Sequence, residues 1–451
     1  MNMLVCPIDY RYGRKEMKQV FSNEARIQKM LEVEAALARA HARLGHIPKE
    51  AADEISRKAS LEYVKPERVD EIEKEIRHDV MALVKAYSEA CDGDAGKYIH
   101  LGATSNDIID TATALQLKDA LDIIEQDLIA LGNTMSGLAK KHRDTVMLGR
   151  THGQMATPVT FGLKIAVYLD EIRRHLERLR EARPRICAGK MMGAVGTGAG
   201  FGEDALEIRK LVGEELGIDM AIATGQLVGR DRYIEFVSLA SNIATSLEKF
   251  ATEIRNLQRP DIDEVAEAFD AEKQVGSSTM AHKRNPITSE NICGLARVLR
   301  GFLTPQMESA VLWHERDLAN SSAERFTLPH TAVLLDDILL KMEDVFRNLA
   351  VKPDNMMRNL ERSRGLIMAE AVMLALTTKG MGRQDAHELI RQLSMKAEER
   401  KAHLKDMLME SEEIRALLSP EEIERIMDYR NYTGKAGEIV DMVVREWEAN
   451  R

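Results

Sequence analysis

Eight apolar residues, Ala114, Leu117, Leu121, Ile124, Leu128, Leu131, Met135 and Leu138, follow one another in alternating steps of three and four. A strand alternates its side chains with a period of two, so an unbroken heptad of this length excludes a sheet and requires a long bundle helix. Ile165, Leu169, Ile172, Leu176 and Leu179 repeat the same steps. A third stretch, from Ile234 to the stop at Pro260, carries Val237, Ala240, Ala244, Leu247, Ala251 and Ile254. At 1.5 Å per residue such a helix spans roughly 40 Å, longer than a small domain is wide. Nearer the start, Ile27, Met30, Leu31, Leu37 and Leu44 share a helical face, with Ser22 as the expected cap and Gly45 and Pro48 as the stop. Composition agrees: 9 Phe, 9 Tyr, 2 Trp and 11 Pro stand in 451 residues dominated by unbranched helix formers. No alternating run is long enough to demand a sheet, and the expected fold class is all-α.

Three helical domains are expected: residues 1–103, a central long-helix bundle over 104–351, and a charged C-terminal domain over 352–451. The rows of small residues Ala240, Ser241, Ala244, Thr245 and Ala251 occupy more than one face of their helix. Burial by neighbours on several sides explains such rows, and those neighbours are either other subunits or the rest of a large monomeric bundle.

The formal charge of −10 argues against a general nucleic-acid binder. Cys6, Cys91, Cys187 and Cys293 lie far apart and form no C-x-x-C pair, which points to a reducing compartment and away from a zinc knuckle. The opening MNMLVCPIDYRYGRK has too short an apolar run for a secretory signal, and no run of 18 apolar residues is present to enter a membrane. A soluble, cytoplasmic protein is expected.

Several motifs point away from familiar chemistries. The run GAVGTGAGFG from Gly193 to Gly202 leads into the loosest dinucleotide fingerprint, met by Gly200, Gly202 and Ala205, but no credible strand precedes it, and it reads as a flexible turn between helices. No G-x-x-x-x-G-K-[ST] occurs. Of twelve histidines none belongs to an H-E-x-x-H pair, since His314-Glu315 is followed by Arg316-Asp317, so no metal is expected. His78 in IRHDV, His152 in GRTHG and His282 in AHKRN sit in chemically dense contexts, although His282 reads as an ordinary surface or core histidine.

The segment GSSTMAHKRNP, Gly276 to Pro286, is the most informative. Its Gly-Ser-Ser turn offers converging backbone N–H groups, and Lys283, Arg284 and Asn285 add cationic and amide donors of the kind that stabilise an oxyanion. A solvated basic turn ahead of the next helix is the plainer reading of K-R-N-P alone. The whole string closely resembles the signature of the fumarase, aspartase and argininosuccinate lyase superfamily, and its Lys-Arg-Asn triplet resembles the adenylosuccinate lyase family within it. DYRYG, EIRHDV, GATSNDIIDT, GRTHGQMATPVTFG, GRDRY and LWHERDLANSSAER agree, so the resemblance spans nearly the whole chain. Ala281 stands where the family usually has proline, a change that loosens the loop without touching an expected catalytic group.

The resemblance implies β-elimination of fumarate from adenylosuccinate, giving AMP, and from the succinylaminoimidazole carboxamide ribotide one stage earlier in purine synthesis, with no cofactor. Ser277 is implied as the base, in a site that favours its oxyanion, and Lys283 with Asn285 as the holders of the carboxylate that becomes an aci-dianion. His152 is implied as the acid for the departing nitrogen, an imidazole's ordinary pKa of about 6.5 suiting that task near neutrality. Ser278 and Arg284 belong to the same loop. Arg77, His78 and Asp79 match substrate contacts; Arg11, Tyr12, Arg316, Ser321 and Arg325 match nucleotide and phosphate contacts. Thr104 and Ser105 match the succinyl-end contacts, and Gln226 a substrate amide contact. The family's fold, a tetramer whose active sites draw on three subunits, fits the small-residue rows. Competing readings are another fumarate-releasing lyase, such as argininosuccinate lyase, and a helical scaffold that has lost activity. The Lys-Arg-Asn triplet opposes the first; the joint presence of Ser277, Lys283 and His152 opposes the second.

Overall fold

The fold is taken from a computed structural model that describes residues 5–269, 279–280 and 283–451. Helices dominate it, in keeping with the all-α reading. Ten elements frame the candidate site: α1 (Asn23–Arg43), α2 (Pro66–Ile76), α3 (Asp79–Ala90), α4 (Ser105–Lys141), strands β1 (Val146–Thr151) and β2 (Gln154–Thr160), then α5 (Phe161–Ile186), α6 (Asp231–Leu257), α7 (Ile287–Gly301) and α8 (Ala319–Arg347). The heptad of residues 114–138 lies wholly within α4. Ser22 caps α1, its hydroxyl accepting the Ala25 N–H at 3.1 Å, and Gly45 follows the helix with φ +77°. Helix α6 starts three residues before Ile234 and ends at Leu257, ahead of Pro260. Its small residues Ala240, Ala244 and Ala251 are buried within the chain itself.

The chain forms two compact units. One contains Met1–Leu128, His175–Leu247 and Gly294–Leu340; the other contains Ile129–Arg174, Glu248–Cys293 and Lys341–Arg451. The chain passes from one unit to the other only inside α4 to α8. In the first unit Leu31 and Leu37 of α1 share a core with Ile55, Leu83, Tyr87 and Val212. Tyr87 is fully buried there, and its hydroxyl donates to the Ile55 carbonyl at 2.6 Å. In the second unit Val146 and Leu148 of β1 pack with Leu360, Val372, Leu404 and Ile423. Trp447 seals this unit over Gly132, where a Cβ would lie 2.2 Å from its ring, and donates its indole N–H to Asn133 at 3.1 Å.

Strands β1 and β2 form an antiparallel hairpin with a register shift between Leu148 and Arg150. No sequence period announces it, because Gly149, Gly153 and Pro158 interrupt the pattern. Arg150 leaves the irregular stretch to meet the fully buried Glu264 through two hydrogen bonds, at 2.9 and 2.7 Å. Among the described residues, no helix is long and apolar enough to cross a membrane, and all four cysteines are free thiols.

Candidate active site

Helix α2 ends because Arg77 takes a left-handed conformation, φ +55°, with its N–H on the Glu73 carbonyl at 2.7 Å. His78 is then extended and caps α3: its Nδ1 accepts the Met81 N–H at 3.3 Å, which leaves Nε2 to carry the ring proton in the neutral form. Asp79 opens α3, accepting its neighbour Val80 N–H at 2.8 Å and Arg26 at 3.1 Å. Burial pushes the Asp79 carboxyl upward, but the Val80 N–H and the Arg26 charge outweigh it and hold the group below the usual carboxylate range.

These three residues border a cavity of about 590 Å³ in the first unit, together with Ser105 at the start of α4 and Arg316, Ser321 and Arg325. Seven of the residues anticipated from sequence therefore share one cavity wall. Gln226 joins them indirectly: its side-chain oxygen accepts from Arg316 at 2.9 Å. Arg316 Nε is buried without a hydrogen-bond partner among the described residues. Arg77, Arg316 and Arg325 make no ion pair among the described residues, whereas Arg26 and Arg230, which also line the cavity, are neutralised. The cavity thus retains uncompensated cations, the requirement for an anionic ligand on a chain of net negative charge.

Arg230 is set by Asp110, which receives both terminal nitrogens at 2.9 and 3.0 Å, and by Glu324, reached from Nε at 2.9 Å. Burial pushes the Glu324 carboxyl up, and the Arg230 charge opposes that shift only in part. Thr104 lies just before α4, its backbone N–H on Asp107 Oδ2 at 2.8 Å. Asp107 and its partner Lys190 are completely buried. Asp107, Lys190, Arg230 and Glu324 all escape sequence reading. GATSNDIIDT, GRDRY and LWHERDLANSSAER hold three of them, and nothing local shows that these charges meet.

Arg11 and Tyr12 follow a short helical turn, Pro7–Tyr10, and Arg11 is exposed; neither borders the cavity. Their segment is anchored just downstream. Gly13 donates to Asp337 at 2.9 Å, and Arg14 pairs with Asp127 and Asp336, each at 2.8 Å.

In the second unit, His152 and Gly153 are the two loop residues of the hairpin, with φ +54° and +73° between the paired Thr151 and Gln154. His152 is exposed there. Lys283 and Arg284 are also exposed. Lys283 N–H reaches the Met280 carbonyl at 3.0 Å, the Arg284 guanidinium lies 4.8 Å from the Phe269 ring, and the Asn285 carbonyl accepts the Ile287 N–H at 2.9 Å as α7 begins. Ser277, Ser278, Ala281 and His282 lie outside the described residues.

Two family models match the chain: one described as lyase over residues 10–301, and one described as adenylosuccinate lyase C-terminus over residues 365–443. An adenylosuccinate lyase of Pyrococcus abyssi (strain GE5 / Orsay) is 55% identical over 98% of both chains. That of Methanocaldococcus jannaschii is 52% identical over 98% of this chain and 96% of its own. Among solved structures, a 3-carboxy-cis,cis-muconate lactonizing enzyme from Pseudomonas putida superposes with a TM-score of 0.88, at 35% identity, over 98% of this chain and 99% of its own. The helical fold and these matches define an enzyme of the lyase class, acting on a C–N bond. Within that class, the chain belongs to the adenylosuccinate lyase family.

Proposed function

We propose that the chain eliminates fumarate from adenylosuccinate, releasing AMP, and from succinylaminoimidazole carboxamide ribotide, releasing aminoimidazole carboxamide ribotide. The observation that carries this reading is the cavity where Arg77, His78, Ser105, Arg316, Ser321 and Arg325 meet, its three arginines making no ion pair among the described residues. A fold shared with a lactonizing enzyme does not choose the substrate. A ligand with two carboxylates and a phosphate does suit this wall.

The reaction needs a base at the carbon beside a carboxylate, a stabiliser for the resulting dianion and an acid for the departing nitrogen. Ser277 takes the first role, with the charge of Lys283 favouring the alkoxide. Lys283 and Asn285 hold the aci-carboxylate, with Ser278 and Arg284 in the same loop, and His152 protonates the nitrogen. Arg11 and Tyr12 join Arg316, Ser321 and Arg325 at the ribotide phosphate. Thr104 and Ser105 take the succinyl end, Gln226 an amide contact, and Arg77, His78 and Asp79 complete the pocket.

The active form is a homotetramer with sites shared between subunits, acting in the cytoplasm. Its division into 1–103, 104–351 and 352–451 places the oligomeric core in the middle segment. Val167 on α5 and Val298 on α7, each more than half exposed, are apolar side chains of the kind such a core covers. The deciding assay offers the purified protein adenylosuccinate and argininosuccinate separately and follows fumarate absorbance. Release from the first alone is expected; release from argininosuccinate alone would overturn the proposal.

A further inference from the structure

The glycine-rich run Gly193–Gly202 is packed against the turn that opens α4. A Cβ at Gly102 would lie 2.7 Å from the Phe201 ring and 2.8 Å from the Gly200 carbonyl oxygen. One at Gly196, where φ is +82°, would lie 1.9 Å from the Thr224 carbonyl oxygen. The run is therefore closely fitted at Gly196 and at Gly200–Phe201, and there the expectation of a flexible turn gives way to packing.

One carboxylate joins this surface to the α4 turn. Asp107 Oδ1 accepts the Met192 N–H at 2.9 Å and the Lys190 ammonium; Oδ2 accepts the Gly193 N–H at 3.0 Å and the Thr104 N–H at 2.8 Å. Lys190 also donates to the Gly193 carbonyl at 2.8 Å, and Thr111 clamps its peptide, accepting the Lys190 N–H at 2.9 Å and donating to its carbonyl at 2.8 Å. Both charged side chains have zero exposure.

An acid in the first turn of a helix that accepts the preceding N–H is ordinary capping. Capping needs one such bond at a solvated end; here the carboxylate is buried, collects three backbone N–H groups and is matched by a buried lysine. A buried ion pair is poor value as a stabiliser, because removing two charges from water costs about what their attraction returns. What it supplies is a fixed geometry. Thr104 is bonded to Asp107 directly and Ser105, two residues from it, borders the cavity, while Asp107 itself does not.

We infer that Asp107, held by Lys190, is a positioning residue that fixes the Thr104–Ser105 turn on the Gly193–Gly202 surface so that the turn meets the succinyl carboxylates of the substrate. This rests on the reading of Thr104 and Ser105 as succinyl-end contacts. The test compares the two products as competitive inhibitors, since fumarate reports the succinyl end and AMP the nucleotide end. In folded Asp107→Asn enzyme the fumarate inhibition constant should rise about tenfold or more, while that of AMP stays within about twofold. A general loss of structure would move both, so equal rises, or no rise for fumarate, overturn the inference. Thr104→Ala and Ser105→Ala separate the two readings: if neither weakens fumarate, the succinyl-end assignment fails, whereas if they weaken it and Asp107→Asn does not, the positioning role fails.

Should Asp107→Asn not fold, Asp107→Asn with Lys190→Met removes both charges and takes its place. Amide exchange on the unaltered enzyme gives a further measure. The Thr104 amide should exchange as slowly as those of Met192 and Gly193, because one carboxylate holds all three. Rapid exchange at Thr104 alone would overturn the inference without any variant.

Discussion

Arg230 lays both terminal nitrogens on the carboxylate of Asp110, at 2.9 Å to Oδ2 and 3.0 Å to Oδ1, and turns its Nε–H toward Glu324. One guanidinium thus serves two carboxylates beside the cavity. Arg230→Met leaves both acids buried without their cation and should destabilise the protein by about 3–5 kcal/mol. Arg230→Lys keeps the charge but not the fork and should recover only part of that. Urea unfolding of the two variants measures this, and a loss below about 1 kcal/mol for the methionine variant would contradict it.

His78 does two jobs that substitution can separate. Asparagine caps helices well, so His78→Asn should keep the stability that the bond to Met81 provides, while His78→Ala should lose about 1 kcal/mol. Both should lower kcat/KM if the imidazole meets substrate. Thermal unfolding and steady-state kinetics on the same pair give the comparison, and full activity in His78→Asn would reduce the residue to a cap.

At the hairpin loop, His152 occupies a left-handed position, φ +54°, ahead of Gly153. Asn-Gly is the preferred pair for a two-residue hairpin loop. His152→Asn should therefore leave the Tm unchanged or raised, while kcat falls by about 10²–10⁴ as expected for a missing acid. A substrate analogue whose leaving group needs no proton should restore much of the rate. If it does not, His152 binds rather than protonates, and His78 becomes the candidate acid.

Asp127 and Asp336 face each other across Arg14. Burial, reinforced by the Asp336 carboxylate, pushes Asp127 up to about 8 despite Arg14, and burial likewise raises Asp336. A carboxyl raised on folding contributes stability that is complete below its unfolded value, about pH 4, and is lost as pH rises through the folded value. Wild type should thus lose stability relative to Asp127→Asn between about pH 5 and 8. Urea unfolding across that range checks it, and parallel pH profiles for the two proteins would refute the raised Asp127 carboxyl.

Ser277→Ala should reduce kcat far more than KM, because the carboxylate and phosphate contacts remain. Near-normal kcat in Ser277→Ala with a dead Ser278→Ala would move the base by one residue. Mixing Ser277→Ala with His152→Ala under conditions of subunit exchange should restore part of the activity. No recovery despite proven exchange would exclude sites shared between subunits.

The long helices were legible because their apolar residues repeat with a helical period over many positions, and Ser22 and Gly45 mark the ends of α1 chemically. The β1–β2 hairpin was not legible. Gly149, Gly153 and Pro158 break its pattern, and β1 buries three successive residues, Val146 to Leu148, so it shows no alternation of buried and exposed positions. The cavity-lining residues were legible through the family resemblance, since Arg77, Ser105 and Arg316 have no local pattern that joins them. Lys190 and Asp107 lie 83 residues apart, and Arg230 and Asp110 lie 120 apart. Burial of opposite charges is decided by which helices meet, and no sequence period records that.

The two-residue loop that carries His152 makes its placement a matter of whole numbers. Side chains along a strand alternate between faces, so one residue added between Thr151 and Gln154 would change the loop class, and one added within β1 or β2 would reverse every later side chain of that strand. A substitution within the hairpin leaves the loop where it is, but a change in its length moves the histidine by a discrete step with no intermediate position. Insertions and deletions should be rarer here than in the exposed connections of the C-terminal helices, and libraries intended to alter this enzyme are best built at constant length between Val146 and Thr160.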